Sequence, residues 1–164
     1  MELYEFLYGF VRLTKPEFIV ETGTFLGNSA KIMALAMLEN GFPEFAKKER
    51  IWTIDPSPQI KQKIPPIVKT LRGKSVELLP ELMNKIPKID LAFLDSDHKK
   101  DTLKKELEIV HPKITKSGFI LIHDYSSIGE IRLAVQEFLS PRSDFYNQIE
   151  MKSIFGLLIM EKIK

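Results

Sequence analysis

The sequence predicts an α/β protein, in which one largely parallel β-sheet carries helices on both faces. Three observations predict it. Short apolar runs alternate with segments of helical periodicity along the 164 residues. Two of the runs, residues 91–94 and 119–122, are unbroken, as strands buried on both faces are. Third, the apolar run at residues 18–20 ends in Glu21, and Gly23 and Gly27 follow. A strongly apolar segment, residues 30–38, then opens behind Asn28 and Ser29. That order reads as strand, glycine-rich turn and helix N-terminus, the place where α/β proteins hold nucleotide-like ligands.

Each element follows in order. Leu3, Phe6, Leu7, Phe10 and Val11 recur at helical spacing, so residues 2–13 form an amphipathic helix ahead of Pro16. Residues 17–21 are the first strand. Asn28 or Ser29 caps the next helix and Gly41 ends it. Residues 51–54 are the second strand, closed by Asp55 and Pro56. A short helix is expected next, ending before Pro65 and Pro66, which no helix interior accepts. Residues 67–71 are the third strand, and Gly73, Lys74 and Ser75 turn into a helix reaching about residue 85. Residues 91–94 are the fourth strand. Leu103, Leu107 and Val110 mark a helix stopped by Pro112. Ser117 and Gly118 are expected to turn the chain into the fifth strand, residues 119–122. Ile128, Ile131, Val135 and Phe138 give another helix. Residues 145–151 and 154–161 read as an antiparallel hairpin joined around Lys152 and Ser153.

Composition narrows the functional classes. The length fits a single domain, a helix in residues 1–15 followed by an α/β core in residues 16–164. Hydrophobic residues at 44% and charged residues at 28% are ordinary for a soluble protein. A net charge of +2 is too small to argue for nucleic acid or an anionic membrane. With no cysteine, disulfides and thiolate metal sites are excluded. No apolar run reaches membrane-spanning length, and the acidic N-terminal helix is unlike a secretory signal. A cytoplasmic location is therefore expected.

In a doubly wound sheet of order 3-2-1-4-5, a ligand crevice lies outside the carboxyl ends of strands 1 and 4. Glu21, Asp55, Asp95, His123 and Asp124 all stand at strand ends on that edge. Glu21 repels phosphate and attracts a cation, which points to a positively charged nucleoside. Asp55, roughly thirty residues beyond the glycine turn, is placed to accept both hydroxyls of a ribose, as in dinucleotide folds. It also fits a plain turn, because Asp-Pro-Ser-Pro is good turn chemistry. The spacing Gly23-x-x-x-Gly27 is neither the Gly-x-Gly-x-x-Gly of dinucleotide binding nor a P-loop.

Four stretches resemble a known family. They are Glu-Thr-Gly-Thr-Phe-Leu-Gly-Asn-Ser from Glu21, Thr-Ile-Asp-Pro from Thr53, Ile-Asp-Leu-Ala-Phe-Leu-Asp-Ser-Asp-His from Ile89, and Ser-Gly-Phe-Ile-Leu-Ile-His-Asp-Tyr from Ser117. In this order they are similar to class I S-adenosylmethionine-dependent methyltransferases. The nearest likeness is to small-molecule and sugar O-methyltransferases whose fourth strand ends in Asp-Gly-Asp-His. The resemblance implies a Rossmann-like, three-layer α/β/α fold with a seven-stranded sheet of order 3-2-1-4-5-7-6 and an antiparallel C-terminal strand. It implies S-adenosyl-L-methionine as cofactor. Glu21 and the loop Gly23, Thr24 and Gly27, with Ser29, would hold its methionine part. Asp55 would hold the ribose, Gly73 and Ser75 would lie beside the adenine, and Asp95 would complete the set. Lys74 stands where the family often has an acid, and Ser96 replaces the glycine of Asp-Gly-Asp-His.

The resemblance also implies a metal at Asp95 and Asp124, with His123 in place of a neighbouring acid. Carboxylates at the ends of adjacent strands, about 4.8 Å apart, repel unless a proton or a cation sits between them. Magnesium suits such oxygens, whereas the imidazole of His123 favours manganese, zinc or no metal. The alternative is that Asp95, Asp97 and Asp101 merely cap the following helix. His98 is the candidate base, since an ordinary pKa near 6.5 leaves a neutral imidazole to take a hydroxyl proton, and an exposed loop histidine is the plainer alternative. His111, before Pro112, is expected to meet helix-terminal carbonyls. The lysines at 99, 100, 104 and 105 read as a solvated helix face.

The function expected is methyl transfer to a hydroxyl of a small molecule, with Tyr125 lining the acceptor pocket and the N-terminal helix offering a homodimer contact. The rivals are a nicotinamide-dependent oxidoreductase, disfavoured by the glycine spacing and Glu21, and a non-catalytic protein that binds the cofactor.

Overall fold

A computed structural model describes residues 2–41, 48–152 and 155–164. The chain runs α1 (Glu2–Thr14), β1 (Ile19–Thr22), α2 (Asn28–Glu39), β2 (Ile51–Asp55), β3 (Val68–Arg72), α3 (Ser75–Lys85) and β4 (Ile89–Leu94). It continues through α4 (Lys100–Val110), β5 (Ile114–His123), α5 (Gly129–Leu139), β6 (Tyr146–Met151) and β7 (Leu157–Lys162). All seven strands form one sheet of order β3-β2-β1-β4-β5-β7-β6. The first five are parallel, and β7 runs antiparallel between β5 and β6. This is the Rossmann-like, doubly wound order expected from the sequence. The predicted hairpin is β6 and β7. Ser153, in its expected connection, and residue 154, the expected first residue of its second strand, lie outside the described residues.

Strand alternation splits the interior into two cores. Val20, Ile54, Ala92, Leu94, Ile120 and Ile122 face α3, α4 and α5. Ile19, Ile51, Leu91, Phe93 and Leu121 face the other way, toward α1 and α2. Leu7 and Val11 of α1 are buried there, and Phe10 packs edge-on against Phe119 at 5.0 Å. Part of the apolar face of α1 is therefore buried against the chain's own sheet, while Tyr4 and Leu13 stay exposed.

Three local expectations are corrected. No helix forms in residues 56–66. Four of these residues are prolines at 56, 58, 65 and 66, and the segment lies instead across the glycine turn. Gln59 N–H donates to Phe25 O at 2.8 Å, and Gln62 Nε2 donates to Asn28 Oδ1 at 2.6 Å. Neither Asn28 nor Ser29 caps α2 with its side chain. They are its first two residues, and Gly27 at φ 75° occupies the cap. Ser117 and Gly118 do not precede the fifth strand but lie inside it, where Ser117 at φ 62° accompanies a register shift against β4.

Candidate active site

The carboxyl ends of β1, β2 and β4 and the start of α3 surround a cavity of about 200 Å³ lined by Gly23, Asp55, Lys74, Ser75, Ser96 and Asp97, among others. Gly23 makes its depth possible. At φ 88°, a Cβ there would sit 1.8 Å from the Asp95 carbonyl oxygen, so the turn passes over β4 only because it has no side chain. Asp55 fixes the facing loop, accepting the Phe25 N–H at 2.9 Å and the Ser57 N–H at 2.6 Å. Each carboxylate oxygen keeps a lone pair for a ligand hydroxyl.

Two carboxyl groups lie beneath this cavity on opposite faces of β1. Glu21 is fully buried on the α2 side, where burial raises its pKa to about 7 against the pull of the Ser29 and Thr53 hydroxyls. Neither of its oxygens has a well-formed hydrogen bond. Thr24, the other loop residue predicted to touch a cofactor, is turned inward, sharing a 2.6 Å hydrogen bond with Thr53. Glu106 of α4 is fully buried on the other side and is likewise raised by burial to about 7.

A second cluster stands at the ends of β4 and β5. The Nε2 of His98 is 2.7 Å from Asp124 Oδ2 and 3.4 Å from Asp95 Oδ1. The Nδ1 of His123 is 3.1 Å and 3.3 Å from the same two oxygens. The two strand-end acids are thus brought together as predicted, and two imidazoles fill the gap between them. Hydrogen bonding to Asp95 raises His98, burial opposes it, and the charge of Asp124 adds to the rise. Burial lowers His123, but Asp95 and Asp124 outweigh it. Burial pushes Asp95 up, and the two imidazoles bring it below the ordinary carboxylate value. His98 and Asp124 both adopt left-handed backbone, φ 58° and 57°, as does Phe25 at φ 43° on the glycine turn. Such conformations cost roughly 1–3 kcal/mol each and persist where the surrounding structure imposes them, often at ligand sites.

The donor set fits a divalent cation. Ligand atoms of Asp95, His98 and Asp124 lie within 4.8 Å of one another. The Nε2 of His98 is buried and, despite its short contact, makes no hydrogen bond of good geometry. His98 thus joins the two acids in that group, and His123 donates its Nδ1–H to Asp124 from the side. Helix capping does not account for Asp95. Asp97 accepts from Lys99 N–H and Thr102 Oγ1, each at 3.2 Å, and the first helical N–H, of Lys100, goes to Glu130 Oε2 at 3.0 Å.

The sequence pattern of a protein family described as a methyltransferase domain matches residues 20–125. The chain belongs to that family. No curated protein matches the chain in sequence. Among solved structures, the O-methyltransferase TomG from Streptomyces achromogenes, involved in tomaymycin synthesis and complexed with SAM, has a TM-score of 0.77 at 18% identity. The alignment covers 99% of this chain and 80% of TomG. An O-methyltransferase from Bacillus cereus complexed with SAH gives 0.74 at 17% identity, over 98% and 80% of the two chains. The O-methyltransferase NovP gives 0.74 at 16%, over 99% and 79%. At these identities the likeness is one of fold.

Two details of this methyltransferase differ from the sequence reading, and two residues escaped it. Tyr125 does not line an open pocket, since it is buried under the Arg132 guanidinium at 4.6 Å. His111 hydrogen-bonds the Tyr146 hydroxyl at 2.7 Å instead of helix carbonyls. Phe155, which carried no sequence signal, projects from the approach to β7 with its ring 5.8 Å from that of His123, and is 55% exposed. Glu106 was also missed. Its position in an apolar helical stripe looks like an ordinary surface interruption until the helix is placed. The lysine run behaves as expected, with Lys100 and Lys104 pairing with Glu137 of α5.

Proposed function

We propose that the protein is a cytoplasmic S-adenosylmethionine-dependent O-methyltransferase acting on a hydroxyl of a small molecule. One observation carries the reading. A cavity flanked by Gly23, Asp55 and Ser75 opens at the same sheet edge as the cluster of Asp95, His98, His123 and Asp124. The first group suits a nucleoside and the second a proton transfer. The complexes of TomG with SAM and of the Bacillus cereus enzyme with SAH support the cofactor assignment.

S-adenosylmethionine supplies an activated methyl on a sulfonium that leaves as a neutral thioether. Asp55 accepts the ribose hydroxyls through its free lone pairs, and Ser75 and Gly73 border the adenine. The turn from Gly23 through Thr24 to Gly27, and Ser29 at the start of α2, frame the methionine part. Glu21, raised to about 7 by burial, lies below it, and a cationic ligand would favour its ionised form. Asp95 precedes Ser96 of the cavity wall and turns its carboxylate to the cluster. The acceptor oxygen attacks the methyl carbon in line, and holding the two together provides most of the acceleration. His98 is the half-exposed ring of the cluster, so its Nδ1 receives the acceptor's proton while Asp124, 2.7 Å from Nε2, stabilises the imidazolium.

A second reading is favoured by the unpaired Nε2 and the convergence of the three donors. In it Asp95, His98 and Asp124 hold a divalent cation, with His123 beside them. Such an ion would lower the pKa of an acceptor hydroxyl. One nitrogen among the donors favours manganese or zinc over magnesium.

Calorimetric titration with S-adenosylmethionine and S-adenosylhomocysteine, followed by labelled-methyl transfer onto hydroxylated compounds, tests the function. Absence of binding at millimolar ligand would refute it. His98→Ala should lower turnover by roughly a hundredfold or more while leaving cofactor binding intact. Loss of activity in chelator, restored by manganese, selects the cation reading, and full activity in chelator selects the base.

A further inference from the structure

We propose that Glu106 is a positioning residue for the adenosine side of the cleft, holding three stretches of its wall from below; this rests on the reading of the cavity as a cofactor site. The buried face of α4 consists of Leu103, Glu106, Leu107 and Val110. Three of these are aliphatic, and a leucine at 106 would complete an apolar stripe at i, i+3, i+4 and i+7. Folding alone would favour that leucine, because burying a carboxyl costs free energy unless its lone pairs are met. The chain has a carboxylate there instead, with no exposed surface.

The partners of that carboxylate are all at the site. Thr22 Oγ1, at the end of β1, donates to Oε2 at 3.3 Å. The hydroxyls of Ser75, the first residue of α3, and Ser96, which follows β4, face the same carboxyl and pull its pKa down against the rise from burial. Ser75 and Ser96 line the cavity themselves, and Thr22 immediately precedes Gly23, which lines it too. One side chain on a helix behind the sheet therefore bonds to the end of β1 and faces the hydroxyls that follow β4 and open α3. The bonding is incomplete, because Oε1 is buried without a well-formed hydrogen bond. A group present only to stabilise the core would be fully satisfied or absent. Burial of a donor-hungry oxygen directly behind the cavity wall instead fits a wall whose hydroxyls tighten when the ligand is bound. No lysine, arginine or histidine pairs with Glu106 among the described contacts, and the one further acid acting on it is Asp97.

The test compares Glu106→Leu and Glu106→Gln with the wild type by thermal melting and by titration with S-adenosylhomocysteine and 5′-methylthioadenosine. If the wild type binds neither ligand, the cofactor reading itself has failed, independently of Glu106. Given wild-type binding, Glu106→Leu should melt no lower than the wild type at pH 8 yet bind both ligands at least tenfold more weakly. Glu106→Gln, whose amide the three rotatable hydroxyls can still meet, should stay within about threefold. A folded leucine variant with both affinities unchanged would overturn the proposal. Should the leucine variant not fold, Ser75→Ala and the double variant Ser75→Ala, Glu106→Gln decide it. Acting through one another, the two changes weaken binding no more together than the worse one alone, whereas independent, multiplying losses would refute the link.

Discussion

At the scale of single residues, Gly23 carries the most restrictive requirement in the chain. An alanine there would be strained twice, by φ 88° and by a contact of 1.8 Å with a backbone oxygen that cannot rotate away. The left-handed backbone costs roughly 1–2 kcal/mol, and the overpacking about 1–3 kcal/mol more. Gly23→Ala should therefore lower the urea-unfolding free energy by roughly 2–5 kcal/mol. A loss below about 1 kcal/mol would mean that the turn and β4 separate easily. Under the proposed function Asp55 also holds the ribose, beyond its bonds to its own loop. Removing a charged acceptor from two ribose hydroxyls costs about 1.5–3 kcal/mol, so Asp55→Ala should weaken cofactor binding roughly ten- to a hundredfold in titration. Both residues were legible in the sequence because their signals are local: a glycine after an apolar run, and an acid at the next strand's end. The contact of His98 with Asp124 was not legible. It depends on left-handed backbone at both residues, which is uncommon outside glycine even though His and Asp tolerate it better than most.

Among the elements, those whose hydrophobic period was clean emerged where the sequence put them, and the misreadings share one cause. Ile60 and Ile64 are spaced as on a helix face, yet they lie over Gly27, where a Cβ would meet them at 3.2 and 2.8 Å. Tertiary contact with the turn, together with the flanking prolines, overrides the local period. The kink inside β5 was read as a turn for the same reason, because Ser-Gly is turn chemistry wherever it occurs. Pairing with β4 nevertheless resumes past it, at Phe119 against Leu91. The approach to β7 has a functional consequence. It sets Phe155 against His123, half exposed, where under the proposed function it would border an incoming acceptor. An aromatic contact is worth about 0.5–1.5 kcal/mol beyond its area. Phe155→Ala should then raise the acceptor KM severalfold and leave S-adenosylhomocysteine affinity unchanged. An equal effect on both ligands would place Phe155 in the cofactor site.

For the molecule as a whole, the two acids buried on either side of β1 link stability to pH in an unusual direction. Glu21 and Glu106 have folded pKa values raised to about 7, each chiefly by burial, from an ordinary value of 4.5. Asp95 and Asp55 add to the rise of Glu21, and Asp97 to that of Glu106. Between those two pH values the native chain binds more protons than the unfolded one, so stability falls as pH rises and levels off above about 7. Each group in isolation sets a scale on the order of 3 kcal/mol across that window. His98 and His123, also raised, lose their stabilising contribution as pH rises through values above 6.5. Their slope has the same sign, so the total slope does not identify the acids. Differences between variants do. Urea midpoints from pH 4.5 to 8.5 should show Glu21→Gln and Glu106→Gln each flattening the fall below pH 7, with the largest gain over wild type at pH 8. A gain that is instead independent of pH would mean that neither carboxyl takes up a proton in the fold. Stability would then have to come from a cation bound near Glu21 or from water reaching Glu106.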